Sequence, residues 1–159
     1  MGALDVFLTR QGEVVEQMAK AAEQIPQTQM MWKPCGKSLP WIYLLHHTCV
    51  HRRFFLKSIK GQPYDFPGDY GAPANQPHSP AEAASQIRQS WQELKNYLSA
   101  MGDPILKTTL KPYWGGEELT VEQILWELYA ENVHHRGQAW LYARMNGITP
   151  PVIWGTEQA

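Results

Sequence analysis

Glu131 and His135 stand four residues apart in the segment Glu131-Asn132-Val133-His134-His135-Arg136-Gly137-Gln138. At that spacing in a helix, two side chains leave the same face about 6 Å apart along the axis, close enough to chelate one ion. Apolar residues at Ile124, Leu128 and Tyr142 extend the series through 131, 135 and 138 in steps of four and three. The pair is therefore predicted on the core-facing stripe of the last helix. Burying these groups without partners costs about 1 to 3 kcal/mol for the imidazole and more for an ionised carboxylate. A divalent metal ion supplies the compensation. An ion pair of Glu131 with Arg136, Arg52 or Arg53 is the alternative.

A third ligand has to come from another helix. Of six histidines, His46, His47 and His51 fall in one short window, His134 and His135 in a second, and only His78 lies elsewhere. His47 shares a face with Leu44 and Phe54, whereas His46 shares the adjacent face with Ile42 and Cys49. His47 is favoured, with His46 left open and a local His47/His51 pair as a rival arrangement. Two imidazoles and one carboxylate suit zinc or nickel first, with iron(II) and manganese also admitted. Three protein ligands leave a position for water or substrate, the pattern of catalytic sites, where a bound water or thiol loses its proton more readily.

The neighbouring residues receive lesser roles. Glu127, one turn before Glu131, is an acid or base at the edge of the site or a solvated surface residue, and Arg136 and Gln138 are assigned to hydrogen bonds between helices. Cys49 is read as a buried inert thiol rather than a nucleophile. Gly137 costs about 1 kcal/mol in mid-helix relative to alanine, which predicts close approach by a neighbouring helix. Seven Trp and seven Tyr are expected to form core and pocket wall.

Four helical segments must position these residues. The first, from Leu4 to Ile25, carries Phe7, Val14, Met18 and Ala21 on one stripe and is stopped by Pro26. The second is predicted to start at a Ser38 cap with Pro40 in its first turn and to end near Ile59. A long surface connection rich in proline and glycine follows, from Gly61 to Pro80. Ser79-Pro80-Ala81-Glu82 opens the third as a capping box with proline at the first helical position, and Gly102 closes it. Between Ile105 and Leu119 the residues Leu106, Thr108 and Leu110 alternate, predicting a short extended arm or hairpin. Thr120-Val121-Glu122-Gln123 is a second capping box, and its helix runs to Asn146. The expected fold is all-α, a four-helix bundle whose long crossover connection lies between helices 2 and 3.

The chain has 159 residues and is read as one domain over 1–159. With a net charge of −1 and both signs interspersed, it lacks the basic stripe that nucleic acid requires. No cationic start precedes a long apolar run, so neither a leader nor a membrane span is expected and a cytoplasmic location is. Two cysteines, Cys35 and Cys49, are too few for a disulfide framework and are expected to be reduced.

His134-His135-Arg136-Gly137-Gln138, followed by Leu141-Tyr142-Ala143-Arg144 and the run Gly147-Ile148-Thr149-Pro150-Pro151-Val152-Ile153-Trp154-Gly155, resembles the DinB-like superfamily. These damage-inducible, YfiT-like proteins are four-helix-bundle metalloproteins. Leu44-Leu45-His46-His47-Thr48 and Phe54-Phe55-Leu56 match the family's helix 2 pattern, and the resemblance spans essentially the whole chain. It implies a triad of histidines, one from helix 2 and two from helix 4, onto which His47 or His46 and His135 fall. Glu131 departs from the usual middle histidine and makes the site more anionic and harder. The resemblance further implies a small-molecule substrate, with low-molecular-weight thiols such as bacillithiol or mycothiol used by characterised relatives. A homodimer is also expected. A non-catalytic metal- or small-molecule-binding bundle, in which Glu131 replaces a ligand structurally, is the other reading.

Overall fold

A computed structural model describes residues 2–63 and 75–153. Among them are four long helices: α1 (Ala3–Glu23), α2 (Trp41–Ile59), α3 (Pro80–Met101) and α4 (Val121–Met145). Both predicted capping-box sites act as start signals, but only Thr120 closes a full capping box, because the Glu82 carboxylate accepts from the His78 amide instead of the Ser79 amide. Ser79 accepts from the Glu82 amide with Pro80 in the first turn, and Thr120 accepts from the Gln123 amide while the Gln123 side chain accepts from the Thr120 amide. These bonds satisfy amides that a helix start otherwise leaves bare. The Ser38 cap is not formed. α2 begins beyond Pro40 with no side-chain cap, and the Ser38 hydroxyl instead lies 3.1 Å from Cys35 Sγ.

α1 and α2 each pack against both α3 and α4 and touch one another only slightly, so the order round the bundle is α1, α3, α2, α4. The core runs through Phe7, Met18, Trp41, Leu45, Ile87, Leu94, Ile124 and Leu128. The sequence neighbours α1 and α2 thus sit across a diagonal. The segment joining them closes one end, where the Trp41 and Ile42 amides donate to the Trp32 and Met30 carbonyls. The long connection expected between helices 2 and 3 joins two helices that pack side by side, and its residues 64–74 lie outside the described ones.

Before α4 the chain forms a 3-10 turn at Asp103–Lys107 and then a minimal hairpin. Strand β1 (Thr109–Leu110) pairs antiparallel with β2 (Leu119–Thr120), in the register Thr109 to Thr120 and Leu110 to Leu119. The hairpin tip carries Tyr113 and Trp114 and turns through Gly115 and Gly116, both at positive φ (83° and 91°), where a side chain would be strained.

Arg88 on α3 ties that helix to α1, with Nε and Nη2 donating to the two Glu16 oxygens at 3.0 and 2.9 Å and Nη1 to Glu23 at 2.6 Å. The hydrogen bonds from Arg88 hold the Glu16 carboxyl below its ordinary value. Both partners are nearly half exposed, so solvent limits the contribution to about 1 kcal/mol or less. Because the folded value is depressed, this contribution is present above the unfolded value near 4.5 and lost as pH falls through the folded one. Arg88→Ala is accordingly expected to lower stability slightly at pH 7 and to match the parent once Glu16 is protonated. Urea titrations at the two pH values check this.

Candidate metal centre

α2 and α4 meet along a seam of polar side chains. From α2 come His47 and His51, one turn apart, and from α4 come Glu131 and His135, also one turn apart. Glu131 Oε1 lies 3.6 Å from His47 Nε2 and 3.6 Å from His135 Nε2, and it pairs with His51 Nδ1. Ligand atoms of His47, Glu131 and His135 all fall within 4.8 Å of one another. The His47 ring centroid is 3.9 Å from that of His51 and 4.8 Å from that of His135.

The helix 2 alternatives are separated by direction. His46 turns to α3, where its Nδ1 donates to Gln86 Oε1 at 3.0 Å. His47 faces α4 and His51 stands beside it, so the α2 pair and the α4 pair form one cluster rather than competing arrangements. His134, adjacent to His135, is exposed. The arginines considered as partners of Glu131 bond elsewhere: Arg53 to Glu93, Arg136 to Gln17, and Arg52 to Asn132 and Ser90.

Side chains of the four clustered residues retain only 13 to 22 % of their exposure, so the seam sits at the flank of the core rather than in its centre. The fully buried polar residue of α4 is Asn132. That difference from the expected stripe has a physical cause. A carboxylate and imidazoles keep some contact with water, while a neutral amide enters the core once Arg52 is there to donate to it. Gly137 is exposed, with no atom of a neighbouring element among the described residues within 4 Å of where a Cβ would be, so the close helix approach expected there does not occur.

Proton distribution in the cluster follows from these contacts. Burial acts to raise the Glu131 carboxyl, but the imidazoles of His135, His47 and His51 outweigh it and hold the group far below the carboxylate range. Burial depresses His47 and prevails over the help from Glu131. At His135 burial also depresses, yet Glu131 and Gln138, whose Oε1 lies 2.8 Å from Nδ1, together raise the group. Glu131 is therefore ionised and His47 neutral, while His135 holds a proton more readily than an ordinary imidazole. Cys49 is fully buried and its thiol is pushed up by desolvation, which removes it as a nucleophile.

Beside the cluster opens a cleft of about 430 Å³ lined by His51, Phe55, Tyr113, Trp114, Glu127 and Glu131. Sequence reasoning placed Glu127 and Glu131 and expected aromatic residues in a pocket wall, but did not assign Phe55, Tyr113 or Trp114 to it. The available signal was the Tyr113-Trp114 pair immediately before two glycines. A larger cleft of about 850 Å³ runs along α1 at Glu13, Gln17 and Gln24 to Val152, and none of the four clustered residues lines it.

The family model of the DinB superfamily matches residues 13–139. The chain belongs to the DinB superfamily. Solved DinB structures share the fold across nearly the full length. A DinB-like protein from Bacillus cereus ATCC 10987 is 19% identical, with a TM-score of 0.78 over 93% of this chain and 95% of that one. YfiT from Bacillus subtilis, described as "a probable metal-dependent hydrolase with an unusual four-helix bundle topology", is 16% identical, with a TM-score of 0.72 over 93% of this chain and 91% of that one. No match was found among curated proteins. No helix among the described residues is long and apolar enough to cross a membrane.

Proposed function

We propose that this DinB protein holds a divalent metal ion through His47, Glu131 and His135 and acts on a small molecule by thiol transfer or hydrolysis. The observation that carries this reading is the convergence of three ligand atoms within 4.8 Å, one of them from a carboxylate whose Oε2 is buried without a hydrogen-bond partner among the described residues. A buried unpartnered carboxylate oxygen is costly, and a cation removes the cost. Nitrogen and oxygen donors together fit zinc or nickel first, and iron(II) or manganese after them. The description of the Bacillus subtilis protein as "a probable metal-dependent hydrolase" points the same way.

When bound, the ion supplies Lewis-acid chemistry that eases deprotonation of a thiol or water. The protein contributes the rest. Glu131 neutralises part of the ionic charge, neutral His47 is ready to ligate, and Gln138 at His135 Nδ1 fixes which ring nitrogen faces the site. Glu127, at the cleft edge, is within reach of substrate to accept or deliver a proton.

One observation favours a second reading. His51 Nδ1 already pairs with Glu131 Oε1, so the cluster is partly satisfied with no ion, as in a non-catalytic binding bundle. Metal content separates the two. Protein purified untagged and without chelators should hold close to one equivalent of zinc or nickel by mass spectrometry. No retention after loading, and no thermal stabilisation by zinc, nickel, manganese or iron(II), would leave only the second reading. Affinity should also fall with acid, because His135, whose proton affinity is raised, must lose its proton to ligate. Release is expected between about pH 6 and 5, and retention at pH 4.5 would exclude histidine ligation.

A further inference from the structure

The cleft beside the cluster has two unlike walls. One is polar and acidic, with His51, Glu127 and Glu131. The other is aromatic. Phe55 of α2 meets Tyr113 edge-on and Trp114 at a tilt, with ring centroids 5.5 and 5.1 Å away, and these two rings lie edge-on 5.0 Å from each other. The Tyr113 hydroxyl lies 3.5 Å from His51 Nδ1, which links the aromatic wall to the polar one. Trp114 remains 46 % exposed although it is among the largest apolar side chains, and its exposed surface borders the cleft. At about 430 Å³ the space is that of a small organic ligand.

Charge narrows the class further. Two carboxylates, Glu127 and Glu131, line the cleft, and no lysine or arginine is among its described lining residues. With Glu131 committed to the ion, a ligand bearing carboxylates or phosphates away from its reacting group would meet the Glu127 carboxylate and find no lysine or arginine among the described lining residues to pair with. A planar apolar body meets three rings, whose offset and edge-on contacts favour it over an alkyl group.

We propose that this cleft is the substrate pocket of the metal site and that it selects a small aromatic molecule with one metal-seeking group and no further negative charge. This rests on the metal reading and deepens it, since it disfavours polyanionic thiols as substrates. Glu131 marks the reacting end and Trp114 the recognition end.

Three hydroxamic acids test the idea on zinc-loaded protein by calorimetry, with zinc content measured first. Benzohydroxamate should bind about tenfold more tightly than acetohydroxamate, the margin that aromatic contacts provide. Its 4-carboxy derivative should lose most of that gain. In Trp114→Ala the aromatic preference should disappear while acetohydroxamate affinity is unchanged. Equal affinity of the two simple hydroxamates, or a preference that survives Trp114→Ala, overturns the proposal. If zinc does not bind, the metal reading fails by itself, and the pocket is then judged with benzyl alcohol on the metal-free protein. Failure of benzyl alcohol to shift the Trp114 indole NMR signal overturns the pocket as well.

Discussion

Glu131→Ala is expected to abolish stoichiometric metal binding, with affinity for zinc falling by more than about 100-fold, since even residues that only support a ligand cost 10- to 100-fold when removed. Glu131 Oε1 is the atom that His47, His51 and His135 all approach, and Glu131 Oε2 is buried and still without a partner among the described residues. Two further variants show that charge and ligation, rather than shape, account for the loss. Glu131→Gln keeps the volume and removes the charge. It should weaken metal binding and, in the metal-free protein, move the His135 titration downward, because Glu131 does more than Gln138 to lift His135 against burial. Glu131→His creates the three-histidine set that the family resemblance implies, which is neutral and softer. It should retain one equivalent of metal while losing affinity for manganese relative to zinc. Full metal retention in Glu131→Ala would remove this residue from the ligand set, and an unmoved His135 titration in Glu131→Gln would refute the coupling. Metal analysis and histidine NMR read both.

The site was partly legible because α4 is a helix with one dominant apolar direction near its start. A capping box at Thr120, apolar steps at Ile124 and Leu128, and polar residues at 131 and 135 are enough to place two groups on one side. α2 is different. It packs against both α3 and α4, so Leu44, Leu45, His46, Thr48, Cys49 and Val50 are all buried, and periodicity cannot rank one histidine face above the next. His46 and His47 diverge because the first finds Gln86 on α3 and the second finds Glu131 on α4. That distinction depends on which helices are neighbours, a property set by non-local packing. The residues of the aromatic wall escaped for a related reason. Two-residue strands carry too little alternation to show that Tyr113 and Trp114 fold back over α2, and Gly137 lies on a side of α4 that meets solvent, which composition alone does not reveal.

The groups just behind the cluster carry the second large effect. Arg52 is fully buried with no carboxylate among the described residues bonded to it, and neutral groups satisfy its guanidinium. Nη1 donates to Asn132 Oδ1, Nε to Ser90 Oγ at 3.0 Å, and Nη2 to Thr48 Oγ1 and the Ile87 carbonyl, each at 3.4 Å. Asn132 is itself anchored, since its Nδ2 donates to the Leu128 carbonyl at 2.8 Å. Arg52 follows His51, and Asn132 follows Glu131. Their bond therefore fixes α2 against α4 at the level of the cluster. Asn132→Leu should cost about 3 kcal/mol or more, because it leaves a buried charge without its main acceptor. Arg52→Met, similar in length but apolar, should cost about 1 to 3 kcal/mol by stranding the Asn132 and Ser90 oxygens. Combining the two removes charge and acceptor together and should recover most of the loss, ending within about 1 kcal/mol of the parent. In thermal terms Asn132→Leu corresponds to a drop of about 6 to 12 °C that the double variant largely reverses. Each single variant should also weaken zinc binding by about 10- to 100-fold through loss of register between the ligand pairs. Denaturant titration of the four proteins decides the matter: additive losses would mean that Arg52 and Asn132 do not act as one lock, and sub-additive losses with intact zinc affinity would confine that lock to stability.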